Sequence, residues 1–558
     1  MKTLLFALLL LSSQLCWPQA AITEEEKIEH LIQVWGLLKY HHPEVSRGEF
    51  DLNREFISAL ETLETIQSRA DFDKSLLAWV KKFGTSKLKP NAGYVKEKAL
   101  FAKNASFEWI EDSGFSEELQ SLLTQIRTNT NYKDHYASVN RWSSSIEFNE
   151  TGLAEFDVSN KAHRMLFLAS FWSAMNYWNV NIHLTKLPWA KVLPDMVSEF
   201  RKNQASEFEV AKEKLFSRLS DSHSNYYPSS SLKALTQYPA FGGRIINDSL
   251  VVNVIFDEKT AMEDGIAIGD VIYAVEKIPI GKYYRSKFEE VINVSNENYL
   301  KRSVEKSWLL ASDKDSVKVK VLKNNDNHIE KYIQLKKLSY PAENYMRLRP
   351  EKTEPWKKLS EEIGYLNLQY ITNEELKTAF GKFEGTKGIV IDLRNYPRNI
   401  SHRSLPKYLF PHKKKFVMAL TPVLPAFGNA NTKAALRFIQ DPFSAGKRNK
   451  NYYKGKVILL VDRTTLSRAE WIGMAIQASP NCLTLGEQTG GAVLNRNAIT
   501  LIDHTSIDFT QAGAFYPDGI NAQGNGLKID IEIQESARNY NKELYIETAI
   551  EFIEGDSL

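Results

Sequence analysis

Apolar residues in the first part of the chain have the spacing of amphipathic helices. Across 22–230 they recur mostly with a helical period, which predicts a helical region. Trp35 in its first half matches Trp172 in its second half, and neighbouring residues match at the same offset. This similarity indicates an internal repeat of 31–90 in 168–227, and chance likeness between amphipathic helices is the alternative.

The period changes in 239–337, where short segments alternate apolar and polar residues as half-buried strands do. Within them, 261–272 has the pattern of a short helix, a Gly-Asp turn and an aliphatic strand. This phrase resembles that of PDZ domains, which bind an extended peptide by adding it as a strand to a sheet edge. We expect peptide-binding residues in the first strand of this domain, at Gly242, Gly243 and Arg244. A generic small β-domain is the alternative.

The last segment, 355–558, alternates strands with helices and predicts an α/β core. Its stretches 387–397 and 456–462 are almost continuously apolar, as expected for parallel strands that are covered on both faces. The expected fold class is therefore multidomain α+β, with a helical N-terminal region, a PDZ-like β domain and an α/β core.

One turn in this core carries candidate chemistry. Ser467 follows the apolar strand and precedes a helix, and Glu470 comes three residues later. Ser-x-x-Glu before an apolar helical run is a capping box. A serine on a sharp turn between strand and helix is also how several hydrolase folds expose a nucleophile, and the helix start supplies amides for an oxyanion. On this stretch alone both interpretations stay open.

Residues 1–21 predict a secretory signal peptide, with Lys2, an apolar run over 4–12 and small residues at its end. The mature chain would then be secreted or periplasmic. Of the two cysteines, only Cys482 would remain, which excludes an internal disulfide and a cysteine metal cluster.

Composition narrows the classes of partner. The chain has 558 residues, of which 43% are hydrophobic and 25% charged, as in a folded multidomain protein. Its net charge of +3 is spread without a basic block, which argues against nucleic acid as the main partner. After the signal, no segment predicts a stable membrane span.

Several phrases occur in the order found in a known family. They are "IGYLNL", "KGIVIDLRNYP", "LVDRTTLSRAE", "LGEQTGG" and "GLKIDIEI". Together with the PDZ-like phrase they resemble the tail-specific (C-terminal processing) serine peptidases and the tricorn core protease, over about 205–535. The resemblance implies a ClpP/crotonase-like catalytic core and a serine endopeptidase that cleaves extended or unfolded peptides in the cell envelope. It implies Ser467 as the nucleophile and neither a metal nor an organic cofactor.

The resemblance also names a base. One branch of the family uses a Lys about 25 residues after the serine, but position 492 is Ala, and no Lys lies between Lys456 and Lys528. The tricorn-like branch uses a His that follows a Ser before the PDZ domain, and Ser222-His223 matches that placement. We therefore expect His223 to be the base.

Other roles follow from the same resemblance. The Glu that orients the family's His falls on Gln523, so Gln523 and Ser222 are expected to orient His223, while Asp221 holds the loop by side-chain to backbone bonds. The oxyanion would be bound by the amide of Arg468 and by an amide of the loop at Arg398-Asn399, where the family usually has Gly-Gly. Glu470, Gly490 and Gly491 are expected to support the cleft. His402 and His504 are expected to be solvated loop histidines.

Two other functions remain open on sequence alone. The departures at 398, 399, 492 and 523 are compatible with a peptide-binding scaffold that has lost activity. An esterase or other acyl hydrolase is also compatible, because the geometry of a nucleophile does not identify the acyl group.

Overall fold

The computed structural model describes residues 21–91, 105–140, 145–202, 204–224, 226, 230–305, 308–337, 354–422, 430–431, 441–540 and 542–555. The expected signal peptide at 1–21 lies, except for its last residue, outside these ranges. In the part of the chain described here, no helix is both long enough and apolar enough to span a membrane.

The N-terminal region is helical, as its period predicts. Its helices are α1 Glu24–His41, α2 Leu52–Glu64, α3 Arg69–Lys81, α4 Trp109–Asp112, α5 Glu117–Arg127, α6 Lys161–Trp178, α7 Trp189–Phe200, α8 Ala205–Ser217 and α9 Ser230–Lys233. Short 3₁₀ turns follow α1 and α6, at Val45–Arg47 and Ile182–Leu184. A small hairpin joins the two halves, formed by β1 Ala137–Val139 and β2 Ile146–Phe148.

The two halves of this region share an element order. The series α1, 3₁₀ turn, α2 and α3 recurs as α6, 3₁₀ turn, α7 and α8. The indole N–H of Trp35 donates to the carbonyl of Leu52 at 3.1 Å. The indole of Trp172 donates to the carbonyl of Trp189 at the same distance and the same separation of 17 residues. The two halves therefore share buried tryptophans with equivalent partners, and the internal repeat of 31–90 in 168–227 stays a prediction.

The two long helices of the repeat pack closely where Gly36 of α1 meets Ser173 of α6. A Cβ atom added at Gly36 would lie 2.3 Å from the Ser173 hydroxyl and 3.2 Å from the ring of Tyr177. The absent side chain is therefore what allows the two backbones to approach, and both helices are buried along most of their length.

The second domain is an antiparallel sheet with the strand order β3-β9-β8-β6-β5-β4, and β7 pairs with β6. Its strands are β3 Tyr238–Pro239, β4 Phe241–Ile246, β5 Ser249–Ile255, β6 Val271–Val275, β7 Ile278–Pro279, β8 Ser316–Leu322 and β9 His328–Lys336. Its helices are α10 Glu258–Glu263, α11 Ile280–Phe288 and α12 Glu297–Val304. Gly269 lies in the predicted turn with φ +91, and β4 is an edge strand of the sheet.

The third domain is built on a six-stranded sheet of order β10-β11-β12-β17-β18-β22, in which only β10 is antiparallel to its neighbour. These strands are β10 Trp356–Ser360, β11 Ile363–Asn367, β12 Gly388–Asp392, β17 Lys456–Val461, β18 Cys482–Gly486 and β22 Ile531–Glu532. The remaining short strands are β13 Lys414–Lys415, β14 Met418–Pro422, β15 Ala430–Asn431, β16 Ser444–Ala445 and β21 Gly513–Phe515. Helices α13 Asn373–Lys382, α14 Pro406–Leu409, α15 Arg468–Gln477 and α16 Lys542–Glu554 complete the domain.

A hairpin of the third domain packs into the helical region. It comprises β19 Arg496–Thr500 and β20 Ser506–Thr510, and we call it the clamp hairpin, 496–510. Its apolar side chains belong to the buried core of the helical region: Ile499, Leu501, Ile502, Ile507 and Phe509. Lys212 of α8 pairs with Asp503 at its tip at 3.0 Å, and Asn181 donates to the carbonyl of Thr510 at 3.1 Å. The clamp hairpin thus fixes the helical region against the sheet that carries Ser467.

We predict that Gly36→Ala destabilises the protein, because the new methyl group would overlap Ser173 and force α1 and α6 apart. Overpacking of this kind costs about 1–3 kcal/mol, and thermal unfolding of the variant measures it. Gly381 of α13 is the matched control, since a Cβ there meets nothing within 4 Å. Gly381→Ala should stabilise the protein by about 0.5–1 kcal/mol through helix propensity. Equal effects of the two variants would contradict the close approach at Gly36.

Candidate active site

Ser467 stands at the carboxyl edge of the parallel sheet, where open α/β sheets usually bind their ligands. Strand β17 lies between β12 and β18 and ends at Val461. Residues 462–466 then form the turn, and α15 begins at Arg468. Ser467 is half-buried and Arg468 is exposed, so the start of the helix is accessible from solvent.

The backbone of Ser467 differs from that of an ordinary helix cap. It has φ 60 and ψ −118, whereas three Ser or Thr residues that cap other helices with their side chains are extended: Thr23 (φ −73, ψ 161), Ser68 (φ −101, ψ 144) and Thr372 (φ −97, ψ 166). A non-glycine residue in this region costs about 1–3 kcal/mol and is concentrated at functional sites. Capping does not require this strain, whereas a serine nucleophile on a sharp strand-to-helix turn is strained in this way.

The carboxylate of Glu470 organises the turn. It is fully buried, and its two oxygens accept hydrogen bonds from the Ser467 amide at 3.0 Å and the Thr489 hydroxyl at 2.6 Å. They also accept from the amides of Gly491 at 2.7 Å and Ala492 at 3.0 Å. The capping-box role predicted for Glu470 is therefore extended, because the same side chain joins the serine turn to the glycine loop.

The glycine loop, 489–492, lies directly against the serine turn. The Gly490 amide donates to the carbonyl of Thr465 at 2.9 Å, and a Cβ at Gly490 would lie 2.4 Å from the side chain of Leu466. Gly491 has φ +72, and a Cβ there would lie 2.4 Å from the carbonyl of Gly524. Gly491 is therefore required for the close passage of backbone that the sequence predicts at this cleft, and Gly490 leaves room for the Leu466 side chain.

Ser222 and His223 reach this loop from the end of the helical region. The Ser222 hydroxyl donates to the carbonyl of Gly490 at 2.7 Å, and its amide donates to the Ser295 hydroxyl at 2.9 Å. The Gly490 amide donates to the carbonyl of Thr465, as described above. Gly490 therefore links the segment that carries His223 to the turn that carries Ser467. Ser222 anchors the segment and is not bonded to the imidazole through these contacts.

His223 is buried, and its contacts differ from those expected. Its Nδ1 atom lies 3.0 Å from the Thr510 hydroxyl, and its amide donates to Asp221 Oδ1 at 3.0 Å. The Thr510 hydroxyl in turn donates to Asp221 Oδ1 at 2.8 Å. Burial lowers the pKa of His223, while the nearby Asp221 carboxylate raises it. Thr510 is not predictable from the sequence, because its only local signal is its position at the polar end of an alternating strand.

Gln523 has other partners in the structure. It is buried, its side-chain Oε1 atom accepts from the Val493 amide at 3.0 Å, and its backbone N–H donates to the carbonyl of Ala514 at 3.2 Å. These bonds hold the segment that follows the glycine loop. Thr510, and not Gln523, makes the hydrogen bond to His223 Nδ1.

Of the expected oxyanion donors, Arg398 is engaged elsewhere. Its amide donates to the carbonyl of Gln369 at 3.0 Å, which removes it from the set expected to bind an oxyanion. The Asn399 side chain donates to the carbonyl of Tyr370 at 2.6 Å. The Arg468 guanidinium lies 3.5 Å from the carbonyl of Arg398, so this loop does border the helix start. As the first residue of α15, Arg468 has one of the amides that a helix leaves without an internal partner.

A buried ion network lies beneath the serine turn. Arg463, four residues before Ser467, donates to Glu487 at 2.8 Å and to Glu305 at 3.0 Å. Arg244 of β4 pairs with the same Glu487 at 2.6 Å and with Glu535 at 2.9 Å. The network therefore ties the second domain to the turn that presents the serine.

The edge of β4 where we expected peptide binding has partners of its own. The Ile245 amide donates to Glu305 at 3.0 Å, and the Ile245 carbonyl accepts from Arg463 at 2.9 Å. Gly242 and Gly243 are buried beside a register shift between β4 and β5, and Arg244 points into the ion network. Peptide binding at Gly242, Gly243 and Arg244 stays a prediction. A peptide added to this edge would find the backbone of Ile245 already bonded to Glu305 and Arg463.

Two further expectations concern histidines and metals. His402 is not the solvated loop residue we expected, because its ring packs 5.7 Å from Phe416 and 5.6 Å from Trp471, and burial lowers its pKa to about 4. His504 is exposed at the tip of the clamp hairpin, with φ 66, as expected of a solvated loop histidine. In the described ranges, no group of three or more His, Cys, Asp or Glu residues is arranged to hold a metal ion.

Comparisons with known proteins point to one family. The profile of peptidase family S41 matches residues 418–533, which contain the serine turn and the glycine loop. The crystal structure of mature CPAF is similar at a TM-score of 0.52, with 10% identity over 70% of this chain and 97% of that chain. Mature CPAF complexed with lactacystin is similar at a TM-score of 0.50, with 10% identity over 69% of this chain and 96% of that chain. At these identities the likeness concerns the fold alone. A search of curated protein sequences finds no significant match.

We predict that Ser467→Gly stabilises the protein by about 1 kcal/mol, because glycine adopts φ 60 without the steric cost that serine bears. Thermal unfolding measures the change. Ser68 is the matched control, since it caps α3 with an extended backbone and has no backbone strain that glycine could relieve. Ser68→Gly should lower stability by a few tenths of a kcal/mol. A loss of stability in both variants would show that Ser467 is only a cap.

The pKa of Glu470 predicts a pH effect on stability. Burial raises this pKa to about 7, and the hydrogen bonds from Thr489, Gly491, Ala492 and Ser467 lower it. Between pH 4.5 and about 7 the folded chain keeps a proton that the unfolded chain releases, so this group's stabilisation is lost as the pH rises. Compared with Glu470→Gln, which does not titrate, the wild type should lose on the order of 3 kcal/mol between pH 4.5 and pH 8. Urea unfolding of both proteins at the two pH values measures the difference, and a constant difference would contradict the raised pKa.

Proposed function

We propose that Ser467 is the nucleophile and His223 the base of a serine-type peptidase. Residues 418–533, which contain Ser467, match the profile of peptidase family S41. The observation that carries this proposal is the strained backbone of Ser467 at an accessible helix start. A helix cap forms without backbone strain, whereas a nucleophilic serine on a sharp strand-to-helix turn is held in a strained conformation that exposes its hydroxyl.

Three further observations support His223 as the base. Its segment is bonded through Ser222 to Gly490, the residue that also binds the serine turn. Its pKa is lowered by burial, so the ring is neutral at pH 7 and can accept a proton. The alternative of a lysine base has no support in the sequence, because position 492 is Ala and is fully buried.

The reaction proposed is hydrolysis of peptide bonds in extended or unfolded proteins. Ser467 Oγ attacks the carbonyl carbon and gives its proton to the imidazole, which later passes it to the leaving amine. The Arg468 amide and the positive end of the α15 dipole stabilise the oxyanion. Arg398 is left out of this set because its amide is bonded to Gln369. The chemistry needs neither a metal nor an organic cofactor.

We further propose that the chain acts outside the cytoplasm, in the periplasm or as a secreted protein. The proposal is supported by the signal-like pattern of residues 1–21. N-terminal sequencing of the purified protein tests it: we expect a first residue close to Ile22, and a protein that still begins at Met1 would contradict the proposal.

A peptide-binding scaffold without activity is the second candidate. One observation favours it, namely that an expected oxyanion amide, that of Arg398, is already bonded. Tight binding of a disordered protein with no cleavage would support the scaffold. Hydrolysis of short esters with no cleavage of peptides would instead support an acyl hydrolase.

We predict that Ser467→Ala and His223→Ala each reduce cleavage of a disordered protein such as casein by at least about 10³-fold, because each removes a member of a catalytic unit. The measurement is the initial rate of peptide release. Covalent labelling by a fluorophosphonate should be lost in Ser467→Ala and strongly slowed in His223→Ala. His504→Ala is the control and should retain activity, since His504 lies at the far tip of the clamp hairpin. Equal labelling of the wild type and Ser467→Ala would exclude the proposed nucleophile.

A further inference from the structure

His223 is connected to a carboxylate through a hydroxyl group. The Thr510 hydroxyl lies between His223 Nδ1 at 3.0 Å and Asp221 Oδ1 at 2.8 Å. The Thr510 amide adds a second bond to the other oxygen of Asp221 at 2.5 Å. All three side chains are buried, with Thr510 fully excluded from solvent. The contacts therefore form one continuous chain from the imidazole to the carboxylate.

The direction of the hydrogen bonds follows from the number of protons available. An ionised carboxylate can only accept, so the single proton of the Thr510 hydroxyl is donated to Asp221. The hydroxyl oxygen then faces His223 Nδ1 as an acceptor. The Nδ1 atom must carry a proton, and in the neutral ring the lone pair lies on Nε2. A base that takes a proton from a serine through Nε2 needs this tautomer.

We propose that Thr510 and Asp221 are the positioning residues of the base: they fix the Nδ1–H tautomer of His223 and its orientation through a Thr hydroxyl relay. The inference rests on the proposed function of His223. The orienting role that was expected of Gln523 then belongs to Asp221 of the helical region and Thr510 of the clamp hairpin. Gln523 instead accepts from the Val493 amide and holds the segment that follows the glycine loop.

The proton balance of the relay is simple. As the bond between Ser467 Oγ and the carbonyl carbon forms, Nε2 takes the serine proton and the ring becomes an imidazolium. The Nδ1 proton stays on the ring and remains hydrogen-bonded to Thr510, so Asp221 is never protonated. Nε2 then gives its proton to the leaving amine. Asp221 stabilises the imidazolium through the Thr510 hydroxyl group that lies between them.

The surroundings keep this relay rigid. Thr510 ends strand β20 of the clamp hairpin, whose apolar face is buried in the helical region. The other charged groups that act on His223 are Arg496, which lowers its pKa, and Asp508, which raises it, and these two are paired with each other at 2.9 Å. Asp221 is the charged group of this set that Thr510 links to the ring.

The same hairpin provides a matched control. Thr505 binds Asp503 in the same way, with its hydroxyl at 2.8 Å from Oδ2 and its amide at 2.9 Å from Oδ1. This pair lies at the hairpin tip beside Lys212 and not beside His223. Thr505→Val therefore removes an equivalent bond from the same element without touching the relay.

The experiment compares Thr510→Val, Thr510→Ser, Asp221→Asn and Thr505→Val in the full-length mature protein, with casein as substrate. We expect Thr510→Val and Asp221→Asn to lower kcat by roughly 10–100-fold with little change in KM, because the loss of an orienting partner affects the base and not substrate binding. The lower limb of the pH profile of kcat/KM should shift in both. Thr510→Ser should recover most of the activity, and Thr505→Val should behave as the wild type. Wild-type kcat and pH profile in Thr510→Val would overturn the relay, and so would equal loss in Thr510→Val and Thr510→Ser.

A second measurement does not depend on activity. In protein labelled with ¹⁵N-histidine in the Ser467→Ala background, the signal missing from a His223→Gln variant identifies His223. We expect the Nδ1–H tautomer for this ring, and its loss in Thr510→Val. An Nε2–H tautomer would overturn the relay even in an active enzyme. An Nδ1–H tautomer in a protein that cleaves nothing would preserve the relay and reject the proposed function.

Discussion

The burial of the clamp hairpin is the contact on which the rest of the site depends. His223 and Ser467 come from different domains, and neither loop determines its distance from the other. The apolar face of 496–510 is buried in the core of the helical region, so the α/β core and the helices share one hydrophobic interior. The hairpin starts just after the glycine loop and ends at Thr510, so the continuous segment 489–510 contacts the serine turn through Gly490 and His223 through Thr510.

Two buried polar centres then refine this arrangement. Glu470 joins the serine turn to the glycine loop through four hydrogen bonds, and Arg463 anchors the base of the same turn to Glu305 and Glu487. Buried charges are costly unless they are fully paired, so such centres tolerate few alternative geometries. The serine turn is thus held by Glu470 of α15 on one side and, through Arg463, by Glu305 of the second domain on the other.

The parts of the molecule that were predictable are those encoded by local patterns. The apolar runs led to strands β12 and β17, and Ser-x-x-Glu led to the start of α15. The relay could not be predicted in this way, because Thr510 and Asp221 are 289 residues apart and a threonine at a strand end carries no sign of its partner. Gln523 was assigned by its place in a family pattern, and a buried amide can satisfy many neighbours equally well. The edge of β4 was expected to be open because its occupants, Glu305 and Arg463, belong to other elements.

The strained backbone of Ser467 has a consequence for how the protein acquires its chemistry. The strained torsion of this one residue is maintained by long-range packing, so the isolated segment 456–477 would relax to an unstrained backbone. The reactive conformation exists only after the sheet, the glycine loop and the ion network have assembled around it. With Ser467 as the proposed nucleophile, a partly folded chain carries every residue of the candidate site without the backbone that presents the serine, and folding itself acts as the step that switches on a potentially destructive hydrolase.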